Sequence, residues 1–282
     1  MNILITGSNG FLGRNLNKYL SRIDGYNITT LARQDSDLIN QDEVKSFFQK
    51  QNKVFDLVLH TAVNGGRRTK IDTPEIVYNN LLMLYNLLSS QDYFRCLISF
   101  GSGAELDRRY DINTESINRY PIDPYGLSKS VIDKICSDEP KLCNFRIYNC
   151  FGHDEQPDRM IRGNIQRYLN KSPIVLYQNK KMDFFLIDDL VSLINYCVKN
   201  NFFPKNINCC YSEKYTLLDI ATIINTLDSY RVPIEIMDHT DGYDYIGKSH
   251  ELPINYVGLV NGIKNIYNYY KNEKKYYEFS IT

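Results

Sequence analysis

Apolar residues near the start of the chain fall in short, regular runs. Asn2–Thr6 is one such run, and it ends in a glycine turn, which suits a buried parallel strand. Leu12, Leu16, Leu20 and Ile23 then recur at helical spacing. The same alternation predicts strands at Ile28–Leu31, Asp56–His60, Cys96–Phe100 and Phe145–Tyr148. Between them it predicts a short helix marked by Val44, Phe47 and Phe48, and a long one to about Ser90, capped by Thr73 and opened by Pro74. Another helix opens at Asp123-Pro124 and runs to about Cys136. Strand and helix in this order predict an α/β fold with a doubly wound parallel, Rossmann-type sheet.

After Gly152 the rhythm changes. A helix over Met160–Leu169 precedes short strands at Ile174–Tyr177 and Phe184–Ile187, and Asp188 reads as the cap of a helix through Val198. Asn206–Tyr211 and Pro233–Met237 read as extended, Leu217–Leu227 and Val257–Tyr270 as helical, and the polar tail beyond as frayed. The expected organisation is a dinucleotide-binding domain over 1–150 and a smaller substrate lobe over 151–282, with 185–200 returning to the first.

The 282 residues include 33 basic and 33 acidic side chains, a formal net charge of zero. That balance offers no field for nucleic acid or an acidic membrane surface. No apolar run reaches the length of a membrane span, and the N-terminal run is too short for a signal peptide. Seven scattered cysteines without a C-x-x-C pair read as reduced core thiols of a cytoplasmic protein. The four histidines show no metal-ligand spacing, so no metal is expected.

Chemistry enters at Gly7-Ser8-Asn9-Gly10-Phe11-Leu12-Gly13, between a strand and a helix. That context gives a glycine triplet its meaning as a dinucleotide loop: a tight turn, backbone N–H groups at the pyrophosphate, and close helix–strand packing. The helix N-terminus adds partial positive charge. Asn9, Phe11 and Leu12 complete the expected contact. At the end of the second strand, Thr30-Leu31-Ala32-Arg33 lacks the carboxylate that would bind the ribose of NAD, and Asp35 is the first acid. Arg33 suits a 2′-phosphate, so NADP(H) is the expected cofactor.

Tyr125 and Lys129, four residues apart, share one helix face. An ammonium beside a phenol stabilises the phenolate and makes the tyrosine a usable acid. Ser102, past the fourth strand, is placed to hold a substrate oxygen. His60, with Ala62 beyond it, lies on the stretch expected to line the cofactor, as a packing residue. His153 and Asp154 follow the fifth strand, at the edge where open sheets bind ligands. Arg67 and Arg68, like Arg159 and Arg162, suit phosphates or simply face solvent.

These motifs resemble the extended short-chain dehydrogenase/reductases of the NAD-dependent epimerase/dehydratase group. The resemblance rests on Thr6–Gly13, on Ser102 within Phe100–Gly103, and on Tyr125 with Lys129. It extends through Arg146–Gly152 and Asp183–Leu190. Within the group, Asp37-Leu38 and Thr61–Gly66 resemble the GDP-L-fucose synthase-like 4-keto-sugar reductases. The resemblance implies Tyr125 as proton donor, Lys129 as its partner and Ser102 as carbonyl anchor. It implies Asn80 at the cofactor, and Gly103, Asn149, His153, Arg159 and Arg162 at a nucleotide-sugar substrate. It also implies a homodimer through the helices at 74–90 and 124–137. Ala104 stands where the epimerising members carry Cys, and Arg159 near where they carry His. The acidic pair of the 4,6-dehydratases is replaced by Gly103 and Ala104, with Glu105 one position beyond. Met182 replaces an Arg before Asp183-Phe184. The expected reaction is therefore reduction without epimerisation. A 4-epimerase with tightly bound NAD and a non-catalytic NADP-binding module are the alternatives.

Overall fold

The computed structural model describes residues 1–67, 70–106 and 120–279, with side chains as far as 273. Among these, the chain forms two compact units. One contains the chain up to Ile147 together with Asn195–Asn208; the other contains Tyr148–Ile194 and the chain from Cys209 onward.

The first unit is built on β1 (Asn2–Thr6), β2 (Asn27–Leu31), β3 (Phe55–His60), β4 (Phe94–Ser102) and β5 (Leu142–Ile147). With β9 (Asn206–Cys209) at its edge, the six-stranded sheet has the order β2-β1-β3-β4-β5-β9. The pairings from β2 through β5 are parallel. Ile3, Leu4 and Ile5 are all fully buried, as a strand covered on both faces requires. On one face Leu4, Val58 and Leu97 meet Val44 and Phe48 of α2 (Gln41–Gln51), Leu84 and Leu87 of α3 (Glu75–Leu88), and Ile132 of α4 (Pro124–Asp138). α1 (Phe11–Leu20) packs on β1 through its buried Leu16 and Leu20. The strand order reverses between β1 and β3, the position where doubly wound sheets open a crevice for ligands. This is a Rossmann-like α/β fold.

The second unit pairs β6 (Cys150–Phe151) with β8 (Phe185–Leu186), and β7 (Ile174–Gln178) with β10 (Ile234–Asp238). α5 (Met160–Leu169) packs against α7 (Leu217–Asn225) and α8 (Gly258–Phe279). α6 (Ile187–Lys199) carries the chain out of this unit, and its last turn belongs to the first.

Several expected boundaries move. α3 begins one residue after Pro74, and Thr73 accepts the Ile76 N–H through its backbone carbonyl. α6 begins at Ile187, directly after β8, so Asp188 lies in the first turn instead of capping it. Its neighbour Asp189 is fully buried and accepts hydrogen bonds from the N–H groups of Val257 and Gly258 and from Tyr211. α8 continues through Phe279 in place of ending near Tyr270. Its buried stripe of Leu259, Ile263, Ile266 and Tyr267 anchors a helix that then propagates at low cost. Residues 280–282 of the expected frayed tail lie outside the described residues. Among the described residues, no helix is long and apolar enough to cross a membrane.

Candidate active site

The glycine loop follows β1 and opens α1. Gly7 has φ +65°, and a Cβ there would stand 2.5 Å from the Ala62 backbone nitrogen. A Cβ on Gly13 would stand 2.6 Å from the Gly7 carbonyl oxygen. These two glycines are therefore fixed by backbone packing. Gly10 differs: among the described residues a Cβ there would meet only the Gly7 carbonyl oxygen, at 3.2 Å, and Asn9 and Gly10 are both exposed. Gly10 is also the N-cap of α1, with no side-chain cap and no acid in the first turn. The crest thus presents uncapped N–H groups and an open approach, which fits a dinucleotide pyrophosphate. Phe11 and Leu12 are half-buried behind it.

Just past β2, the Arg33 side chain is 75% exposed and forms an i,i+4 ion pair with Asp37 at 3.1 Å. Asn9 Nδ2 reaches Gln34 Oε1 at 3.4 Å, so the glycine loop and the Arg33 segment are adjacent. The Asp35 carboxylate accepts the Ala32 N–H at 2.9 Å, which occupies it locally in the turn.

Ser102, Tyr125 and Lys129 all belong to the first unit. α4 starts cleanly because Asp123 caps it through the Gly126 N–H at 2.7 Å and Pro124 occupies its first turn. Lys129 is buried and donates from Nζ to the Phe100 carbonyl at 2.6 Å. Its Nζ lies 5.9 Å from the Tyr125 ring centroid. Burial lowers the Lys129 pKa to about 8, against the opposing pull of the Glu105 charge. Gly66, at φ +71°, packs so closely on the Tyr125 ring that a Cβ would stand 2.9 Å from it. The Asp72 carboxylate holds that loop by accepting the Gly66 N–H at 3.1 Å. Arg67 is exposed beside this loop, and Arg68 lies outside the described residues.

Ser102 Oγ accepts the Ala104 N–H at 3.1 Å. Gly103 and Ala104 are buried in the same short helical turn. Glu105, read from sequence only as a displaced member of an acidic pair, turns inward. Its Oε1 accepts the Ser102 N–H at 2.7 Å, and its Oε2 meets Arg146 Nε at 2.7 Å.

Two residues expected at the cofactor are committed to the protein. The His60 ring is buried, bonded through Nδ1 to Thr6 Oγ1 at 2.8 Å, and burial lowers its pKa to about 3. Asn80 is buried too. It accepts the Asn64 N–H at 2.8 Å, and its Nδ2 reaches the Asn64 carbonyl and Ser128 Oγ, each at 3.0 Å. Its amide braces the loop after β3 against α4.

The residues expected at the substrate lie in the second unit, Ser102 and Gly103 excepted. Asn149 is buried and donates to the Asp183 carbonyl at 2.9 Å. The His153 ring packs 4.6 Å from Tyr269, and its carbonyl accepts the Tyr270 hydroxyl. Arg159 is the N-cap of α5. Arg162 donates to the Glu155 carbonyl and stacks 5.6 Å from the Tyr270 ring, so this guanidinium serves packing within its own unit. Asp183 is buried, ion-paired to Lys214 at 2.7 Å, and accepts the Gly247 N–H.

The chain is similar to several known proteins. GDP-L-colitose synthase of Yersinia pseudotuberculosis is 25% identical over 266 residues, which cover 82% of this chain and 83% of that one. A GDP-mannoheptose C4 reductase from Campylobacter jejuni, solved with NADP bound, superposes with a TM-score of 0.74 at 18% identity, covering 96% and 98% of the two chains. A UDP-glucuronic acid 4-epimerase from Bacillus cereus, solved with UDP-glucuronic acid and NAD, gives 0.75 at 20% identity, covering 96% and 99%. These two structures share the fold. The profile of the NAD dependent epimerase/dehydratase family matches residues 3–210, and the chain belongs to that family of nicotinamide-using enzymes.

Proposed function

We propose that the protein is an NADPH-dependent reductase of a 4-keto-6-deoxy sugar carried on a nucleoside diphosphate. The observation that carries this reading is the trio of Ser102, Tyr125 and the buried Lys129 ammonium, with inert Ala104 packed beside Ser102. A bound dihydronicotinamide supplies the hydride for the C4 ketone. Ser102 holds the ketone oxygen. Tyr125 protonates the oxygen as it becomes an alkoxide, and the Lys129 charge stabilises the phenolate left behind. A Lys129 pKa near 8 keeps most of that charge at neutral pH. Epimerisation beside the ketone needs a base within hydrogen-bond reach of the C–H, and Ala104 offers none.

The exposed Arg33 and the locally occupied Asp35 support NADPH over NADH. Asn149, His153 and Arg159 are assigned to the nucleotide-sugar side. Tyr78 and Tyr85 are both exposed and two turns apart on α3, which supports a homodimer through α3 and α4. The product is a deoxysugar donor for glycan assembly in the cytoplasm. The test is a panel of nucleotide-linked 4-keto sugars with NADPH, followed by loss of absorbance. Consumption of NADPH by one member supports the reading. A protein that purifies with NAD and interconverts 4-epimers without consuming NADPH refutes it.

A further inference from the structure

Beneath Ser102 lies a buried charge network that the proposed chemistry does not use. Glu105 Oε2 meets Arg146 Nε at 2.7 Å, and Arg146 Nη2 meets Asp133 Oδ2 at 3.2 Å. Asn144 Nδ2 reaches Glu105 Oε2 at 3.0 Å and Asp133 Oδ1 at 2.6 Å, and Arg146 Nη1 donates to Asn208 Oδ1 at 3.0 Å. The Glu105 oxygens accept from the Ser102 N–H, Asn144 Nδ2 and Arg146 Nε, all N–H donors, as suits a carboxylate. The fit is close: a Cβ on Gly101 would stand 1.9 Å from Glu105 Oε1.

The network links three elements. Glu105 grips the Ser102 N–H at the end of β4. Asn144 and Arg146 sit on β5. Asp133 sits on α4, one turn beyond Lys129 and two beyond Tyr125. We propose that Glu105 is a positioning residue: with Arg146 and Asp133 it forms a buried brace that fixes Ser102 against the helix carrying Tyr125 and Lys129. The inference rests on the reading of those three as the reacting groups.

Charge counting gives the brace a second role. Burial raises the Glu105 pKa, while Arg146 and the Ser102 N–H favour its carboxylate; with those donors in place Glu105 and Asp133 are two anions, and Arg146 and Lys129 are two cations. Among the described residues, the titratable groups acting on Lys129 are Glu105 after β4, Cys136 on its own helix and His60 on β3; the Tyr125 ring lies near its Nζ, and the Phe100 carbonyl on β4 accepts from it. Of these, Glu105 is the principal one favouring its charged form. Removing that carboxylate leaves the ammonium buried with less compensation.

The test uses the full chain in four variants: Glu105→Gln, Glu105→Asp, Glu105→Gln with Arg146→Met, and Lys129→Met. Lysine is labelled with ¹⁵N, and the Lys129 ammonium, assigned by its loss in Lys129→Met, is titrated by NMR without cofactor or substrate. The wild-type midpoint is expected near pH 8. In Glu105→Gln it moves down by about one unit or more, the span that a neighbouring opposite charge produces. In Glu105→Asp it stays within a few tenths of wild type. The kcat for ketone reduction nevertheless falls about ten- to hundredfold, because the shorter side chain cannot hold Ser102 and Arg146 together. The double variant recovers thermal stability without recovering kcat. An unmoved midpoint in Glu105→Gln overturns the proposal, as does recovery of kcat along with stability in the double variant. If Glu105→Gln does not fold, the Glu105→Asp and double-variant results decide in the same way. A wild-type protein that reduces no ketone refutes the proposed function, while the titration still judges the brace.

Discussion

On the proposed reading, cofactor choice turns on Arg33, and Asp37 beside it makes the prediction two-sided. The guanidinium is largely exposed and ion-paired to the half-buried Asp37 carboxylate at 3.1 Å. A charge-assisted hydrogen bond to a 2′-phosphate contributes about 1.5–3 kcal/mol. Loosening an exposed i,i+4 pair costs about 0.3–0.5 kcal/mol. The net is about 1–2.5 kcal/mol, so Arg33→Ala should lower the NADPH-over-NADH affinity ratio about five- to seventyfold. Asp37→Asn removes an anion that competes with the phosphate for Arg33 and repels it. NADPH should then bind more tightly, by about two- to fivefold, with NADH little changed. Calorimetric titration of both cofactors into the three proteins measures the ratio. Because the chain has no tryptophan, the fluorescence of bound NADPH gives a second reading free of that background. Weaker NADPH binding in Asp37→Asn would show that the ion pair orients Arg33 instead of competing for it. An unchanged ratio in Arg33→Ala would end the argument for a 2′-phosphate site there.

Tyr125→Phe should keep the fold and NADPH binding yet lose about two to four orders of magnitude in turnover, read from single-turnover kinetics. Gly7→Ala should destabilise by about 2–4 kcal/mol in urea unfolding, since its Cβ would meet Ala62 backbone at 2.5 Å from a positive φ. Burial raises the Glu155 pKa to about 8, so the folded state binds a proton that the unfolded chain releases from about pH 4.5 upward. Stability from that group is therefore full at low pH and declines as pH rises toward 8, and Glu155→Gln should flatten the decline in unfolding midpoints between pH 5 and 8. In deuterium oxide with unlabelled NADPH, the product should carry no deuterium at C3 or C5; label there beyond an enzyme-free control would reveal a base that Ala104 cannot supply.

β1 and β3 are legible in the sequence because burial on both faces makes them largely apolar runs bounded by turns, whereas β5 begins at Leu142, three residues before the expected Phe145, because Asn144 breaks its apolar run. α5 agrees to the residue because its apolar spacing and flanking polar residues leave no choice of register. Boundaries fail where two residues compete for one role, as Thr73 and Pro74 do, or where a strand passes into a helix without a loop, as at Ile187. At the site, the glycine loop, Tyr125 and Lys129 are legible because local spacing defines them. The partners of Ser102 are not, because Glu105, Asp133, Asn144 and Arg146 meet only once β4, β5 and α4 have paired. The available signal was compositional: Asn144 and Arg146 interrupt an otherwise apolar strand, and polar residues at such positions need buried partners. The partners of Asn80 are hidden for the same reason, its amide meeting Asn64 and Ser128 from distant parts of the chain.

The excursion of the chain between Ile147 and Asn206 has a consequence for biosynthesis. β5 borders β9, and Asn144 donates its N–H to the Lys205 carbonyl. A nascent chain whose ribosome has passed only the first five strands therefore carries β5 as an open edge, with Arg146 lacking its Asn208 partner. Unprotected edges recruit other strands. The first unit can seal itself only after much of the second has been translated, so a truncation near residue 150 would leave five of the six strands with an aggregation-prone open edge at β5.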